Sequence, residues 1–341
     1  MSLDANTGIA EKTSGFGLGS MLRSPLALPL AGLIVVSILM GLASDNFFSV
    51  NNIMNVLRQV SVVGILAVGM TFVILTGGID LSVGAVVAFT TVLLASLVEH
   101  HGWHPLAAIP LVLVLGTCFG ALMGVLIERY RLQPFVVTLA GMFLARGAAT
   151  LVSVDSIGIT HEFHMAVAAV RVPLGGGASL SVAALVAVAM VAIGVVLAGS
   201  TRFGRAVYAM GGSEQSAALM GLPVASTVVR VYAFSGFCSA LAGVVYTFYM
   251  LSGYSLHGMG LELDAIAAVV IGGTLLAGGS GYVLGSLFGV LVLGLIQTLI
   301  VFDGTLSSWW TRIAIGVLLL AFCLLQRLLA RNSPTAGHAH G

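Results

Sequence analysis

Long apolar runs separated by short polar stretches dominate the chain, and their lengths decide the class of fold. Ten predominantly apolar windows fall near 26–44, 57–76, 84–98, 106–127, 134–152, 180–199, 229–250, 263–278, 282–302 and 311–329. Most approach the roughly 20 residues an α-helix needs to cross a hydrocarbon core. A membrane β-barrel would instead show short segments of alternating polarity. The pattern predicts an all-α integral membrane protein, a polytopic bundle of about ten transmembrane helices. Two windows, 84–98 and 263–278, are short for a crossing, and short or Gly-broken segments at corresponding places point to a transport site. Residues 51–60 mix polar and apolar positions and read as a short interfacial helix before the second run.

The basic residues orient this bundle. With the N-terminus inside, Lys12, Arg23, Arg129, Arg131, Arg202, Arg205, Arg230, Arg327 and Arg331 all fall on the cytoplasmic side, nine of the thirteen basic residues. By the positive-inside rule both termini are then cytoplasmic. The division expected is a tail over 1–24, a membrane domain over 25–331 and a second tail over 332–341. Its longest inside loop spans about 200–226 and its longest outside loop 153–179. Met1–Ser24 lacks the basic, apolar and small-residue succession of a cleaved signal, so the first run is expected to remain as an anchor.

Composition sharpens the class and removes others. The chain is 59% hydrophobic and 7% charged, against about 45–50% and 25% in soluble domains. A net charge of +1 offers no basic field for nucleic acid. Cys118, Cys238 and Cys323 all lie inside apolar runs and suggest no disulfide framework.

Catalytic readings fail on their partners. Gly278-Gly279-Ser280-Gly281 has the form of an intramembrane serine protease motif, but such a serine needs a base beside it, and no histidine lies within a predicted span. A turn or tight packing is the better reading. His161-Glu162-Phe163-His164 is one residue short of the zinc-protease spacing and reads as a solvated loop. His100, His101 and His104, or His338 and His340, are explained equally well as exposed loop and tail residues. A phosphate-binding loop requires a lysine after glycines, and the single lysine, Lys12, follows Ala10-Glu11. No catalytic residue, metal site or cofactor is expected, and any ATP is hydrolysed by another chain.

Charge in or near the bilayer is what remains. Thr76–Gly84 places Asp80 and three glycines between two apolar runs. A carboxylate there is costly unless it lines a cavity, finds a partner or sits at an interface. Two readings stand: a break in a pathway-lining helix, and a cytoplasmic turn with a solvated Asp80. Arg146 falls in mid-span, with Asp80 as its one intramembrane partner by type. Glu262 and Asp264 begin the eighth run, where acids favour a helix N-terminus. Gly278–Gly281 echoes the first Gly-rich connection, since each links an out-to-in run to an in-to-out run.

Taken together, these stretches resemble the permease subunits of ABC sugar importers in the ribose-type branch, over roughly Asn51 to Arg327. The most specific piece is Gly77-Gly78-Ile79-Asp80-Leu81-Ser82-Val83-Gly84. With it go Glu262–Ala267, Ile271–Thr274 and Gly278-Gly279, then Pro134-Phe135, Thr138-Leu139 and Arg146-Gly147. Gly204, Tyr208-Ala209, Gly211-Gly212, Ala217-Ala218 and Gly221 complete the match. Within the branch, Gly272–Leu276, Gly294–Thr298 and Phe302–Trp310 are most similar to galactofuranose importer permeases. The resemblance implies a multi-pass protein of the bacterial inner membrane. It implies three kinds of partner: a cytoplasmic ABC ATPase, a periplasmic sugar-binding protein and a second permease subunit, identical or paralogous. It assigns Gly77, Gly78, Asp80, Ser82 and Arg146 to the translocation path or its gate. It assigns Gly212, Ser213, Ala217, Ala218 and Gly221 to a short helix that couples to the ATPase, although the Glu of classical importers is missing there and Glu214 is the nearest acid. The rival from another class is a proton- or sodium-coupled transporter with Asp80 as the coupling group.

Overall fold

The computed structural model describes residues 27–43, 47–175, 177–303 and 309–331. The tails 1–24 and 332–341 lie outside the described residues, as do the histidines at 338 and 340 and residues 304–308 of the Phe302–Trp310 stretch. In chain order the helices are α1 (Ala27–Ala43), α2 (Val50–Leu75), α3 (Val83–Glu99), α4 (Pro105–Tyr130), α5 (Pro134–Val152), α6 (Glu162–Ala169), α7 (Val182–Ser200), α8 (Arg202–Gly212), α9 (Glu214–Leu219), α10 (Val224–Met250), α11 (Leu261–Ile271), α12 (Val283–Asp303) and α13 (Trp309–Arg331). Strand β1 (Ile157–Gly158) pairs antiparallel with β4 (Ser252–Gly253), and β2 (Arg171–Gly175) pairs with β3 (Ala178–Ser181) as a hairpin.

Among the described residues six helices, α2, α4, α5, α7, α10 and α12, are long and apolar enough to cross a membrane. The remaining expected runs fall on α1, α3, α11 and α13. Three boundaries differ from expectation. Residues 51–60 form no separate interfacial helix: no Gly or Pro interrupts 50–63, Ser49 caps the start, and α2 runs unbroken for 26 residues. The long loop expected over 153–179 carries β1, α6 and β2. The eighth run stops at Ile271, as a helix of 11 residues from Leu261, because Gly273 adopts φ 89° and closes the helix. There the Gly273 N–H reaches the Val270 carbonyl (2.9 Å) and the Thr274 N–H reaches that of Val269 (3.2 Å), the paired bonds of a Schellman cap. Helix α2 ends identically, with Gly77 (φ 78°) donating to Ile74 (2.8 Å) and Gly78 to Val73 (3.0 Å). The two Gly-rich connections thus share a termination device.

Packing separates an inner from an outer set. No residue of α3 is exposed, and Ala265–Ile271 of α11 are all buried. By contrast α4, α5 and α7 expose Leu106, Phe143, Leu144, Leu151, Val188 and Val196, as helices bathed in lipid do. The closest inner seam joins α4 to α10. Gly116, Gly120 and Gly124, one turn apart, face Ala240, Gly236, Tyr232 and Val229 in antiparallel order. Without side chains the two backbones come together, which is how membrane helices gain packing where lipid offers no hydrophobic drive.

The short helices begin inside the bundle rather than at its surface. One end of the bundle carries Arg129, Arg131, Arg202, Arg205 and Arg230 and is called the basic end here. After the turn at Gly77 the chain climbs back from that end as irregular backbone over 78–82 before α3 starts. From the opposite, far end the segment 254–260 descends alongside α3: Gly253 packs on Thr91 and Ala95, and Gly258 on Gly84 and Val87. Helix α11 starts only there, so its N-terminus meets the N-terminus of α3. Irregular backbone at such depth is tolerated where protein surrounds it, and the inner set provides that surround.

Candidate functional site

Asp80 sits in the climbing segment, 2% exposed. Its Oδ1 accepts from the Ser82 N–H (2.9 Å) and the Ser82 hydroxyl (2.6 Å), and its Oδ2 accepts from the Ser235 hydroxyl (2.7 Å). Ser235 lies eleven residues into the 27-residue α10, about 17 Å along a helix about 40 Å long. Asp80 is therefore deep in the bundle, and the solvated cytoplasmic turn is excluded. Neighbouring bonds hold the same segment: the Thr138 hydroxyl of α5 donates to the Ile79 carbonyl (3.2 Å), and the Tyr232 hydroxyl of α10 fills the space a Gly78 side chain would need. Asp80, Ser82, Gly77 and Gly78 thus form one pinned unit.

Arg146 does not belong to that unit. Its Nη1 donates to the carbonyls of Ser255 (2.9 Å) and His257 (2.7 Å), in the descending segment. Arg312 of α13 donates to Met259 in the same segment (3.1 Å). The expected Arg146–Asp80 pair is corrected: each group finds closer partners, backbone carbonyls for the cation and hydroxyls for the anion. Glu262 is the acid whose charge acts on Arg146. Its Oε1 accepts from Gly260 N–H (3.2 Å), as an acid opening a helix does, while Oε2 lies over Gly84 at the start of α3.

At the basic end three backbone segments converge, at Leu75, Gly211 and Gly279. The Gly279 N–H donates to the Leu75 carbonyl (2.9 Å), one of the carbonyls left over at the end of α2. A Cβ at Gly211, on α8, would fall on that carbonyl and on the Gly279 nitrogen. The serine-protease look of Gly278–Gly281 dissolves into this contact: the glycines are there for backbone approach. Next along the chain, Ser213 caps α9 by accepting from the Ser216 N–H (3.2 Å), and Gly221 (φ 75°) closes it. Ala217 is buried against Met210 and Val224, whereas Gly212, Ala218 and Gly221 are exposed. Arg131 joins Glu214 (2.8 Å), tethering α9 to the end of α4.

Comparison with known proteins supplies the class of this arrangement. A family model described as the permease component of a branched-chain amino acid transport system matches residues 52–323. The chain belongs to that permease family. It is 55% identical over 281 residues (82% of this chain, 85% of the relative) to the inner membrane ABC transporter permease protein YjfF of Escherichia coli. It is 44% identical over 77% of its length to the fructose import permease protein FruG of Bifidobacterium longum, covering 78% of that protein. It is 40% identical over 94% of its length to the ribose import permease protein RbsC of Haemophilus influenzae, covering 98% of it. No solved structure matches. The permease is a multi-pass membrane component of an ABC transporter, as the sequence reading expected.

Several residues of this permease escaped the sequence reading. Gly211, not Gly212, makes the close approach; at Gly212 a Cβ would meet nothing within 4 Å. Leu219 and Met220 at the tip of α9 are 89% and 68% exposed, apolar side chains next to a helix-closing glycine. Ser235 carries no signal of its own, being one serine among many in apolar runs. The expected solvated loop around His161–His164 is also corrected: His164 is fully buried, stacked on Phe248 at 4.3 Å between ring centres.

Proposed function

We propose that the chain is a membrane-spanning subunit of an ATP-driven importer for a monosaccharide of the ribose or galactofuranose type. It crosses the bacterial inner membrane about ten times, with the basic end and both termini cytoplasmic. The observation that carries this reading is the near end-to-end similarity to a ribose import permease, 94% of this chain against 98% of that one. A fructose import permease among the relatives favours a sugar cargo over the amino acid in the family's description. The partners are a cytoplasmic ABC ATPase, a periplasmic sugar-binding protein and a second permease subunit, identical or paralogous.

In this reading the meeting of the α3 and α11 N-termini marks the path, since paired discontinuous helices are where transporters place their passage. Gly77, Gly78, Asp80 and Ser82 shape its inner side, and Arg146 holds the outer descending segment. The ATPase docks on α9 and its start through Gly212, Ser213, Ala218, Gly221 and the exposed Leu219 and Met220, with Ala217 seating that helix. Glu214 is already engaged by Arg131, so the docking is apolar rather than ionic. The rival, a proton- or sodium-coupled transporter, would need Asp80 free to exchange its ion, yet both carboxylate oxygens are occupied by hydroxyl and amide donors.

Association and transport test the reading separately. Removing Ala217–Gly221, or changing Leu219 and Met220 to Ser, should abolish co-purification of the ATPase while the permease still inserts. Retention of the ATPase by both would refute the docking. Uptake of labelled D-ribose or D-galactose by this chain alone, driven by a proton gradient, would refute the ABC reading.

A further inference from the structure

The junction at the basic end sits between the docking helix and both discontinuous passages. Starting at α9, the buried Ala217 packs on Met210 of α8. One residue on, Gly211 lies against the Leu75 carbonyl and the Gly279 amide. One turn earlier on α8, the Tyr208 hydroxyl donates to the Gly281 carbonyl (2.7 Å). Phe203, at the start of α8, stacks on Phe72 of α2 (5.6 Å between ring centres). Helix α8 therefore grips the end of α2, whose chain continues through Gly77 into the climbing segment, and also the connection from α11 to α12. The Leu75–Gly279 hydrogen bond ties those two connections to each other.

Physical necessity explains the glycine at 211. Any side chain there would meet backbone atoms of both connections, which cannot rotate away as a flexible side chain could. Direct backbone contact is also stiff, because no side-chain rotamers are interposed to absorb a small displacement. Packed elements of this kind shift between discrete arrangements rather than deforming smoothly. The neighbouring glycines at 278 and 279, with φ of 87° and 73°, allow the second connection to present its backbone to the first.

We infer that Gly211 and Tyr208 are positioning residues of a mechanical junction that passes movement of the ATPase-docking helix to the inner ends of both discontinuous passages at once. The inference rests on the docking role proposed for α9, and adds to it the route by which docking reaches the path. Because one helix touches both connections, the two passages cannot be driven independently. A single ATPase contact then moves both lips of the path together.

The experiment uses the assembled transporter in lipid nanodiscs, measuring ATPase co-purification and the stimulation of ATP hydrolysis by the cognate binding protein. Gly211→Ala should retain the ATPase, since the α9 surface is unaltered, yet lose stimulation by roughly 2- to 30-fold, the range for mutations along a coupling route. Tyr208→Phe, which removes only a hydroxyl, should show a smaller loss of the same kind, and decides alone if Gly211→Ala is absent from the membrane. Gly199→Ala, where a Cβ meets nothing within 4 Å, serves as the control and should behave as the wild type. Normal stimulation in both Gly211→Ala and Tyr208→Phe overturns the junction. Loss of the ATPase itself from Gly211→Ala also overturns it, by making Gly211 part of the docking surface. The docking reading fails by a different result, ATPase retention after removal of Ala217–Gly221.

Discussion

Ser235 donates its hydroxyl to Asp80 at 2.7 Å across 155 residues of sequence. That bond joins the middle of the long helix α10 to an irregular segment that has no ladder of its own. A hydrogen bond to a charged group is worth about 1.5–3 kcal/mol, and its loss leaves a buried carboxylate short of a donor. Ser235→Ala should therefore lower the thermal midpoint of the purified protein. Asp80→Asn should lower both the midpoint and sugar uptake, because an amide offers one acceptor where the carboxylate offers two. In a double-mutant cycle with Asp80→Ala and Ser235→Ala, the two losses should be strongly non-additive. Simple additivity would mean that the bond contributes nothing.

The seam between α4 and α10 makes a contrasting pair of predictions. Gly120→Ala places a methyl against the Tyr232 carbonyl and the Gly236 backbone and should cost about 1–3 kcal/mol, as overpacking does. Gly147→Ala, on α5, meets nothing within 4 Å and should be neutral or stabilising by up to about 1 kcal/mol through helix propensity. Unfolding of the two variants in detergent compares them directly.

Arg146 is bonded to backbone, so its removal should be seen in the backbone. Arg146→Gln should speed amide exchange over 254–260 by at least about tenfold, local opening being governed by the bonds that resist it. Arg146→Lys should restore only part of the protection: an ammonium has donors enough for both carbonyls, but both bonds come from Nη1 at the tip of a side chain longer than lysine's. Unchanged exchange would show that Arg312 and packing suffice.

His164 gives the fold a pH response. Burial against Phe248 pushes its pKa below the usual 6.5, with His161 lowering it further, while the Thr247 carbonyl and Glu99 pull the other way. Below about pH 6.5 the unfolded chain binds a proton at this site that the folded protein refuses. Stability contributed by the neutral ring is then complete above that pH and is lost as pH falls toward the depressed value. Relative to pH 7.5, the wild type at pH 5.5 should lose more thermal stability than His164→Phe. Equal losses would remove His164 from the acid response.

The membrane runs were legible because lipid permits few alternatives to a long apolar helix. Val182–Ser200 and Pro105–Tyr130 could hardly be read as anything else. The glycine repeat at 116, 120 and 124 went unread, because a small-residue pattern inside an apolar run names no partner. What stayed hidden was depth. Gly253–Gly260, with Tyr254, Ser255 and His257, has the composition of an outer turn, and only its contacts with Thr91, Val87 and Gly84 reveal a descent. Arg146 was assigned the wrong partner because a carbonyl acceptor exists at every residue and leaves no mark in the sequence. For His164 the obstacle was chemical ambivalence: the same ring suits water, metal or a phenyl face, and Phe248 lies 84 positions away.

The length of α11 has a consequence for how the bilayer itself acts on this protein. Its 11 residues extend about 16 Å, roughly half of a hydrocarbon core about 30 Å thick. Its turns over Ala265–Ile271 are buried, and no residue of α3 is fully exposed. A thinner or thicker bilayer must therefore be met by tilting helices with exposed apolar faces, α4, α5 and α7 among them, with α1 and α13. The inner pair experiences membrane thickness only second-hand, through the outer helices that pack on it: α4 and α5 lie directly against α3. Acyl-chain length thus becomes a handle on the outer wall that leaves the inner helices their own geometry.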